Sequence, residues 1–244
     1  MQNQPSSPPK PVTEVWRPEL VALPQLTFGR RIVRGFIRGL AKLVAFLTLC
    51  PEIRGLENFP RHGPALVVIN HLGDADAVLL LATLPYLSPI EAIGKIELND
   101  HPFVGPVFRA YGIIWVHRGR PDRKALRAAL EALAEGRLVT LAPEGRQSVI
   151  GGLEEGHDGA AFLALRSGAQ IVPVAMTGVE NSNVYGHLKK LRRAPVTLSV
   201  GKSFFLQERP DRQEMLREGT RQIMEALAEL LPEAYRGKYR SNAD

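Results

Sequence analysis

The β-branched run Val67, Val68 and Ile69 ends at Asn70 and delivers His71, with Asp76 five positions later. A histidine beside a carboxylate is the pairing of a general base with the acid that orients it. On a straight helix the two side chains would diverge by roughly 140°, and on a strand an odd separation puts them on opposite faces. They can meet only across a corner. Gly73 allows a tight path, and the Ala- and Leu-rich residues 75–84 predict a helix, so strand, turn, helix is the expected order. A surface histidine beside a helix N-terminal aspartate is the plainer alternative.

The same spacing recurs at His117 and Asp122. There Pro121 and a helical run from Arg123 make Asp122 a helix-start residue and His117 a strand-end side chain. His71, Asp74 and Asp76 place three donors within six residues. No further His or Cys cluster completes a shell, so no metal site is expected.

The elements that must position these groups alternate. β-like runs at 64–70, 90–94, 112–116, 138–142, 171–176 and 196–200 are separated by helix-like runs at 75–84, 97–110 (broken by proline), 123–135 and 159–167, with a last helix at 211–231. Alternation predicts an α/β fold: one domain with a mixed, largely parallel central sheet flanked by helices, plus an N-terminal amphipathic helix. His71, Arg118 and the pair Glu144 and Arg146 each lie just beyond a strand. Parallel strands bring such clusters to one sheet edge, where open α/β folds hold their ligands.

A chain of 244 residues with 45% hydrophobic content buries one sizeable core. The expected divisions are a flexible arm at 1–26, a basic amphipathic helix at 27–50 and the main domain at 51–244. The N-terminus lacks the basic-then-apolar pattern of a signal peptide. Cys50 is the sole cysteine, which excludes an intrachain disulfide, and it is expected in the helix without a catalytic role.

A net charge of +6 points to anionic partners. Arg30, Arg31, Arg34, Arg38 and Lys42 project onto one third of a helix circumference, opposite Ile32, Val33, Phe36, Ile37, Leu40, Leu43, Val44 and Leu47. The run is too interrupted to span a bilayer, and lying in the membrane interface over anionic lipids fits it. The alternative packs the apolar face on the core and leaves the basic face in water. No zinc spacing or RNA-binding signature accompanies it, so nucleic acid is not an expected partner.

Four blocks, taken in order, resemble the glycerophospholipid acyltransferase family. They are Asn70, His71 and Asp76; GIIWVHR ending at Arg118; APEGRQS at 142–148; and IVPVA around Pro173. Lys95, the GAAFLALRSG helix and the closing LPEAYRGKY extend the likeness over roughly residues 55 to 239. The resemblance implies acyl transfer from a thioester to the hydroxyl of a lysophospholipid, 1-acyl-sn-glycerol-3-phosphate first among acceptors, giving phosphatidic acid. It implies His71 and Asp76 as catalytic, and Arg118, Glu144 and Gly145 as shaping the acceptor site, where Arg118, Arg146 and Lys95 are the cations expected to grip a phosphate. Backbone N–H groups of the third block would face the developing oxyanion. No Gly-x-Ser-x-Gly elbow appears, so transfer is direct, with acyl-CoA or acyl carrier protein as co-substrate and no other cofactor.

The expected location is the cytoplasmic face of the membrane, peripheral or monotopic. The third block departs from the family pattern: Ala142 replaces an aromatic, and the cation stands at Arg146, one residue early. That departure opens two other readings, a different acceptor such as a lyso-ornithine lipid, or a non-catalytic membrane-surface protein of the same fold.

Overall fold

In the computed structural model, which describes residues 8–207 and 210–240, the strand that leads to His71 is buried at every position. A strand covered on both faces belongs in the middle of a parallel sheet. This strand is the fourth of seven across that sheet. The strands are β1 (Leu49–Arg54), β2 (Ala65–Ile69), β3 (Ile90–Lys95), β4 (Ile114–Val116), β5 (Leu138–Leu141), β6 (Gln170–Thr177) and β7 (Ala194–Val200). Their order is β1-β7-β6-β2-β5-β3-β4. β6, β2, β5, β3 and β4 run parallel, while β7 is antiparallel to β6 and carries β1 parallel to itself. The expected mixed, largely parallel sheet is therefore present.

The helices are α1 (Phe28–Thr48), α2 (Ala75–Thr83), α3 (Val104–Tyr111), α4 (Arg123–Ala134), α5 (Gly159–Ser167), α6 (Asn181–Leu188) and α7 (Arg212–Glu229). Their ends follow local chemistry. The Asp122 carboxylate accepts from the Lys124 and Ala125 N–H groups at the head of α4, and Asp211 does the same for Gln213 and Glu214 in α7. α4 lays Ala125, Ala128, Ala129, Ala132 and Leu133 against the core at helical spacing.

Two elements differ from the sequence reading. The basic helix stops at Thr48 because Pro51 lies ahead, and the chain turns into edge strand β1. Cys50 is therefore on an exposed strand position and not in the helix. α6 was not expected, since its sequence NSNVYGHL has weak helix formers and little periodicity.

The larger difference concerns how α1 faces. Its buried positions are Arg34, Ala41 and Ala45, so the helix packs on the domain with its basic side. Arg34 makes two hydrogen bonds to Glu91, at 2.9 and 2.7 Å, and donates to the carbonyls of Tyr111 and Gly112. Glu91 is fully buried and takes a third bond, from Arg137 at 2.8 Å. Arg38 donates to the Leu84 carbonyl at 2.7 Å and lies over the Tyr86 ring. The opposite stripe of Phe28, Ile32, Phe36, Leu40, Leu43, Phe46 and Leu47 faces outward. Neither arrangement drawn from the sequence anticipated inward cations. Guanidinium groups satisfied by a buried carboxylate and backbone carbonyls make that packing stable.

Residues 8–26, expected as a flexible arm, lie packed along the domain, while residues 1–7 fall outside the described residues. Thr13 exchanges two hydrogen bonds with the backbone of Arg118, and Trp16 stacks on the His117 ring at 3.9 Å between centroids. Ten-odd polar and proline-rich residues looked too poor in apolar groups to order themselves. They are ordered by backbone hydrogen bonds and cations of the domain, and by Val21, buried in the core with Leu20 and Leu23 packed against it.

Candidate active site

β2 ends in a clamp. The Asn70 amide donates to the Met176 carbonyl at 2.8 Å and accepts from the Met176 N–H at 2.7 Å, fixing the exit of β2 to β6. The chain then squeezes past the next loop: a Cβ at Gly73 would lie 2.0 Å from the Val179 carbonyl oxygen, so only glycine fits. α2 starts immediately after. This strand, turn and helix bring His71 Nδ1 to 2.6 Å from Asp76 Oδ2.

Asp76 Oδ2 also accepts from the Leu72 and Gly73 N–H groups, at 2.9 and 3.3 Å, in the first turn of α2. Three donors thus converge on one oxygen at the start of α2. A carboxylate can only accept, so Nδ1 carries the proton and Nε2 keeps its lone pair. The Asp76 side chain is 3% exposed and the His71 side chain 37%, so the pair is anchored below and open above. Asp74 points elsewhere, its carboxylate accepting from the Tyr185 hydroxyl at 3.1 Å.

Parallel β2, β5, β3 and β4 bring His71, Glu144 to Arg146, Lys95 and Arg118 to one sheet edge, in that order across the sheet. The convergence read from the sequence is present, but the residues do different things there. Glu144 is fully buried; its Oε1 accepts from the His71 N–H at 3.3 Å and its Oε2 from the Glu154 N–H at 2.7 Å. Burial pushes its carboxyl up to about 7, against those two hydrogen bonds. The Ser148 N–H donates to the His71 carbonyl at 2.7 Å, and the Gln147 amide to the Leu72 carbonyl at 2.8 Å. The APEGRQS segment is a brace beneath the His71 turn. That role left no signal in residue spacing, because its partners are backbone groups of the His71 turn more than 70 positions away.

Arg146 is also committed. Its Nε donates to the buried Glu154 carboxylate at 2.7 Å, and its Nη1 to the carbonyls of Pro8 and Pro9. A guanidinium held in this way presents no open fork to a phosphate, where the sequence reading expected it to grip the acceptor. Gly145 turns through left-handed backbone at φ 71°, and its N–H donates to the Ala142 carbonyl at 3.0 Å. That N–H is spent within the turn and does not face an oxyanion.

Arg118 lies at the far strand, three strand spacings or roughly 14 Å from the β2 line. Its guanidinium is mostly buried and reaches Glu97 only at 3.7 Å, and its Nε has no partner among the described residues. It lines a cleft of about 320 Å³ with Thr13, Arg17, Glu97 and Asp100. Lys95 is exposed at the end of β3. Sequence reasoning missed Lys10, whose ammonium donates to the carbonyls of Glu144 and Glu155, both at 2.8 Å, and meets His157 Nε2 at 2.9 Å.

His117 and Asp122 also meet, Nδ1 to Oδ2 at 2.6 Å, but both side chains are 1% exposed. Their contact is a helix cap and strand end joined in the core.

The model of a family described as Acyltransferase matches residues 50–177. A 1-acyl-sn-glycerol-3-phosphate acyltransferase of Borreliella burgdorferi is 30% identical over 132 residues, covering 53% of this chain and 52% of that protein. A lyso-ornithine lipid O-acyltransferase of Pseudomonas aeruginosa is 32% identical over 139 residues, covering 57% and 51%. This chain thus spans about half the length of such relatives. The crystal structure of a 1-acyl-sn-glycerophosphate acyltransferase from Thermotoga maritima superposes with a TM-score of 0.60 over 84% of each chain at 22% identity, a likeness of fold.

Proposed function

This chain belongs to the acyltransferase family, and we propose that it moves a fatty acyl group from acyl-CoA or acyl carrier protein to the free hydroxyl of a lysophospholipid. The observation that carries this reading is the 2.6 Å contact from His71 Nδ1 to Asp76 Oδ2 beneath an open imidazole. His71 Nε2 takes the hydroxyl proton as the oxygen attacks the thioester carbonyl, an assistance of about 10²–10⁴-fold. Asp76 holds the tautomer and stabilises the imidazolium without taking the proton. The C–O bond forms, the C–S bond breaks, and the thiolate leaves, to be protonated by the imidazolium. No acyl-enzyme and no further cofactor enter the scheme.

Acceptor binding rests on Arg118 and Lys95, the cations at this edge that are not tied into buried pairs. Lysophosphatidic acid is the first candidate. The engagement of Arg146 by Glu154 favours a second reading, an acceptor without a phosphomonoester. The Pseudomonas relative, named for a lyso-ornithine lipid, is in keeping with it.

The outward stripe of α1 supports a seat on the membrane, where a lyso-lipid resides. Phe28, Phe36 and Phe46 are 80%, 71% and 66% exposed. Each such side chain moved from water into acyl chains is worth about 1.5–3 kcal/mol. Among the described residues no helix is long and apolar enough to cross a membrane. The protein is then monotopic, working from the face that meets acyl-CoA and acyl carrier protein, the cytoplasmic one.

Thiol release from both donors, with lysophosphatidic acid or a lyso-ornithine lipid in detergent, tests the proposal. Acceptor-dependent release by the wild type, lost in a folded His71→Ala variant, supports it, and the preferred acceptor chooses between the readings. No acceptor-dependent release with any pairing would favour the non-catalytic membrane-surface protein instead.

A further inference from the structure

Two of the five α1 cations expected to meet anionic lipid, Arg34 and Arg38, are turned into the protein, while Arg31 and Lys42 stay exposed, so the positive charge of the chain is carried in good part elsewhere. Residues 181–207 contain no acid, and within them Lys189, Lys190, Arg192 and Arg193 follow α6 in a single exposed turn around Leu191. We propose that this turn is a second membrane contact that selects anionic phospholipid, with Leu191 inserted between headgroups and the four cations around it.

Three observations carry the proposal, which rests on the membrane seat of α1 argued above. The first is Leu191 itself, 97% exposed and at φ 52°. Left-handed backbone just past a helix end is ordinarily given to glycine or asparagine, and a γ-branched apolar residue there gains nothing from core packing or local conformation. An outlier kept fully in water points to use by something outside the chain. The second is charge: the C-terminal end of α6 favours a cation or two, which accounts for Lys189 and Lys190 but not for Arg192 and Arg193.

The third is continuity. Arg193 Nε donates to the Leu49 carbonyl at 2.6 Å and its guanidinium lies 5.3 Å from the Phe46 ring centroid, so the turn abuts the C-terminal end of the apolar α1 stripe. β7 is antiparallel to β6, which puts Ala194 and the turn before it at the sheet edge that holds His71. α6 is tied to the same site by the Asp74 N–H donating to the Asn181 side chain at 2.9 Å. An apolar stripe and a cationic rim thus flank one active-site edge. A bilayer surface is the partner that offers both acyl chains and anionic headgroups to such a pair.

The test is flotation of the full chain with phosphatidylcholine vesicles and with vesicles partly replaced by phosphatidylglycerol, at low and high salt. The variant is Lys189→Gln/Lys190→Gln/Arg192→Gln, which spares Arg193 for its bond to Leu49. At about fivefold per cation near the surface, the preference of the wild type for anionic over neutral vesicles should fall on the order of 10²-fold in the variant, mostly at low salt. Binding to neutral vesicles should not change. An unaltered anionic preference overturns the proposal, and so does wild-type binding to duplex DNA that exceeds binding to the anionic vesicles. A Phe36→Ser variant reads α1 separately. If it still floats with neutral vesicles as the wild type does, the α1 seat fails, while the charge preference still decides the role of the turn.

Discussion

The backbone N–H of Arg17 donates to His117 Nε2 at 2.9 Å, and that single bond separates the two His and Asp pairs of this chain. Both pairs are five apart in sequence and 2.6 Å apart in space. In one, Nε2 opens to the sheet edge; in the other it is used up beneath Trp16. His71→Ala should lower kcat by about 10²–10⁴-fold with little change in folding. His117→Ala should instead leave Asp122 buried without its partner, depress the melting temperature and spare kcat at temperatures where the variant is folded. Paired thermal melts and turnover assays decide this, and equal losses of kcat in the two folded variants would refute the assignment.

Asp76 has a narrower duty. One of its oxygens takes three donors, and an Asp76→Asn substitution puts an amide where a carboxylate held Nδ1–H. The imidazole loses the partner that fixes its tautomer and stabilises its charge. We expect kcat to fall at least 10²-fold while KM for acceptor stays within a few fold. A fall carried mainly by KM would mean that Asp76 serves binding rather than the base.

Arg146 and Glu154 form a buried ion pair, so removal of one partner strands the other. Arg146→Ala should cost about 3–5 kcal/mol in urea denaturation, and adding Glu154→Gln should recover part of that loss. KM for a phosphate acceptor should change little in the folded variant. A guanidinium that gripped the phosphate would be worth about 1.5–3 kcal/mol, a rise in KM of roughly 10- to 100-fold. That larger rise is expected for Arg118→Ala, and finding it at Arg146 instead would restore the phosphate role there.

The fold was legible where side-chain type and periodicity coincide. The β-branched runs became β2, β5 and β6, the alanine stripe became α4, and the corner between β2 and α2 was forced by the spacing of His71 and Asp76. What stayed hidden depends on contacts distant in sequence. The orientation of α1 is set by Glu91 and Arg137, which lie 57 and 103 positions beyond Arg34, and a helical projection cannot tell which of two clean faces meets the protein. The brace under His71 joins the Glu144 carboxylate, the Gln147 amide and the Ser148 N–H to backbone groups of the His71 turn, contacts more than 70 positions apart in sequence. The ordering of residues 8–26 rests on cations and carbonyls of the domain together with Val21, Leu20 and Leu23, which pack on a core that the segment's own sequence does not reveal.

Glu144 makes the brace sensitive to pH. Its carboxyl is raised from 4.5 to about 7 by burial, so the native state keeps a proton that the unfolded chain has already lost in the window between those values. Unfolding there releases a proton, and stability must fall as pH rises through it, by on the order of 3 kcal/mol in all, levelling off above pH 7. Other carboxylates act in the opposite sense. Burial alone would raise Asp122, but hydrogen bonds from the His117 side chain, the His117 N–H and the Ala125 N–H outweigh it and hold the group below its ordinary value. Its stabilisation is present above the unfolded value and is lost as pH falls through the lower folded one, so the two effects occupy separate ranges. Burial and the Lys10 ammonium hold the His157 imidazole below its ordinary value, which acts in the same range with the opposite sign, so the part due to Glu144 is the difference between wild type and Glu144→Gln in urea midpoints at pH 5 and pH 8. On going from pH 5 to pH 8 the wild type should lose stability relative to Glu144→Gln, which has no proton to lose at that position. The same pH dependence in wild type and Glu144→Gln would mean that Glu144 is ionised in the native state across the whole range.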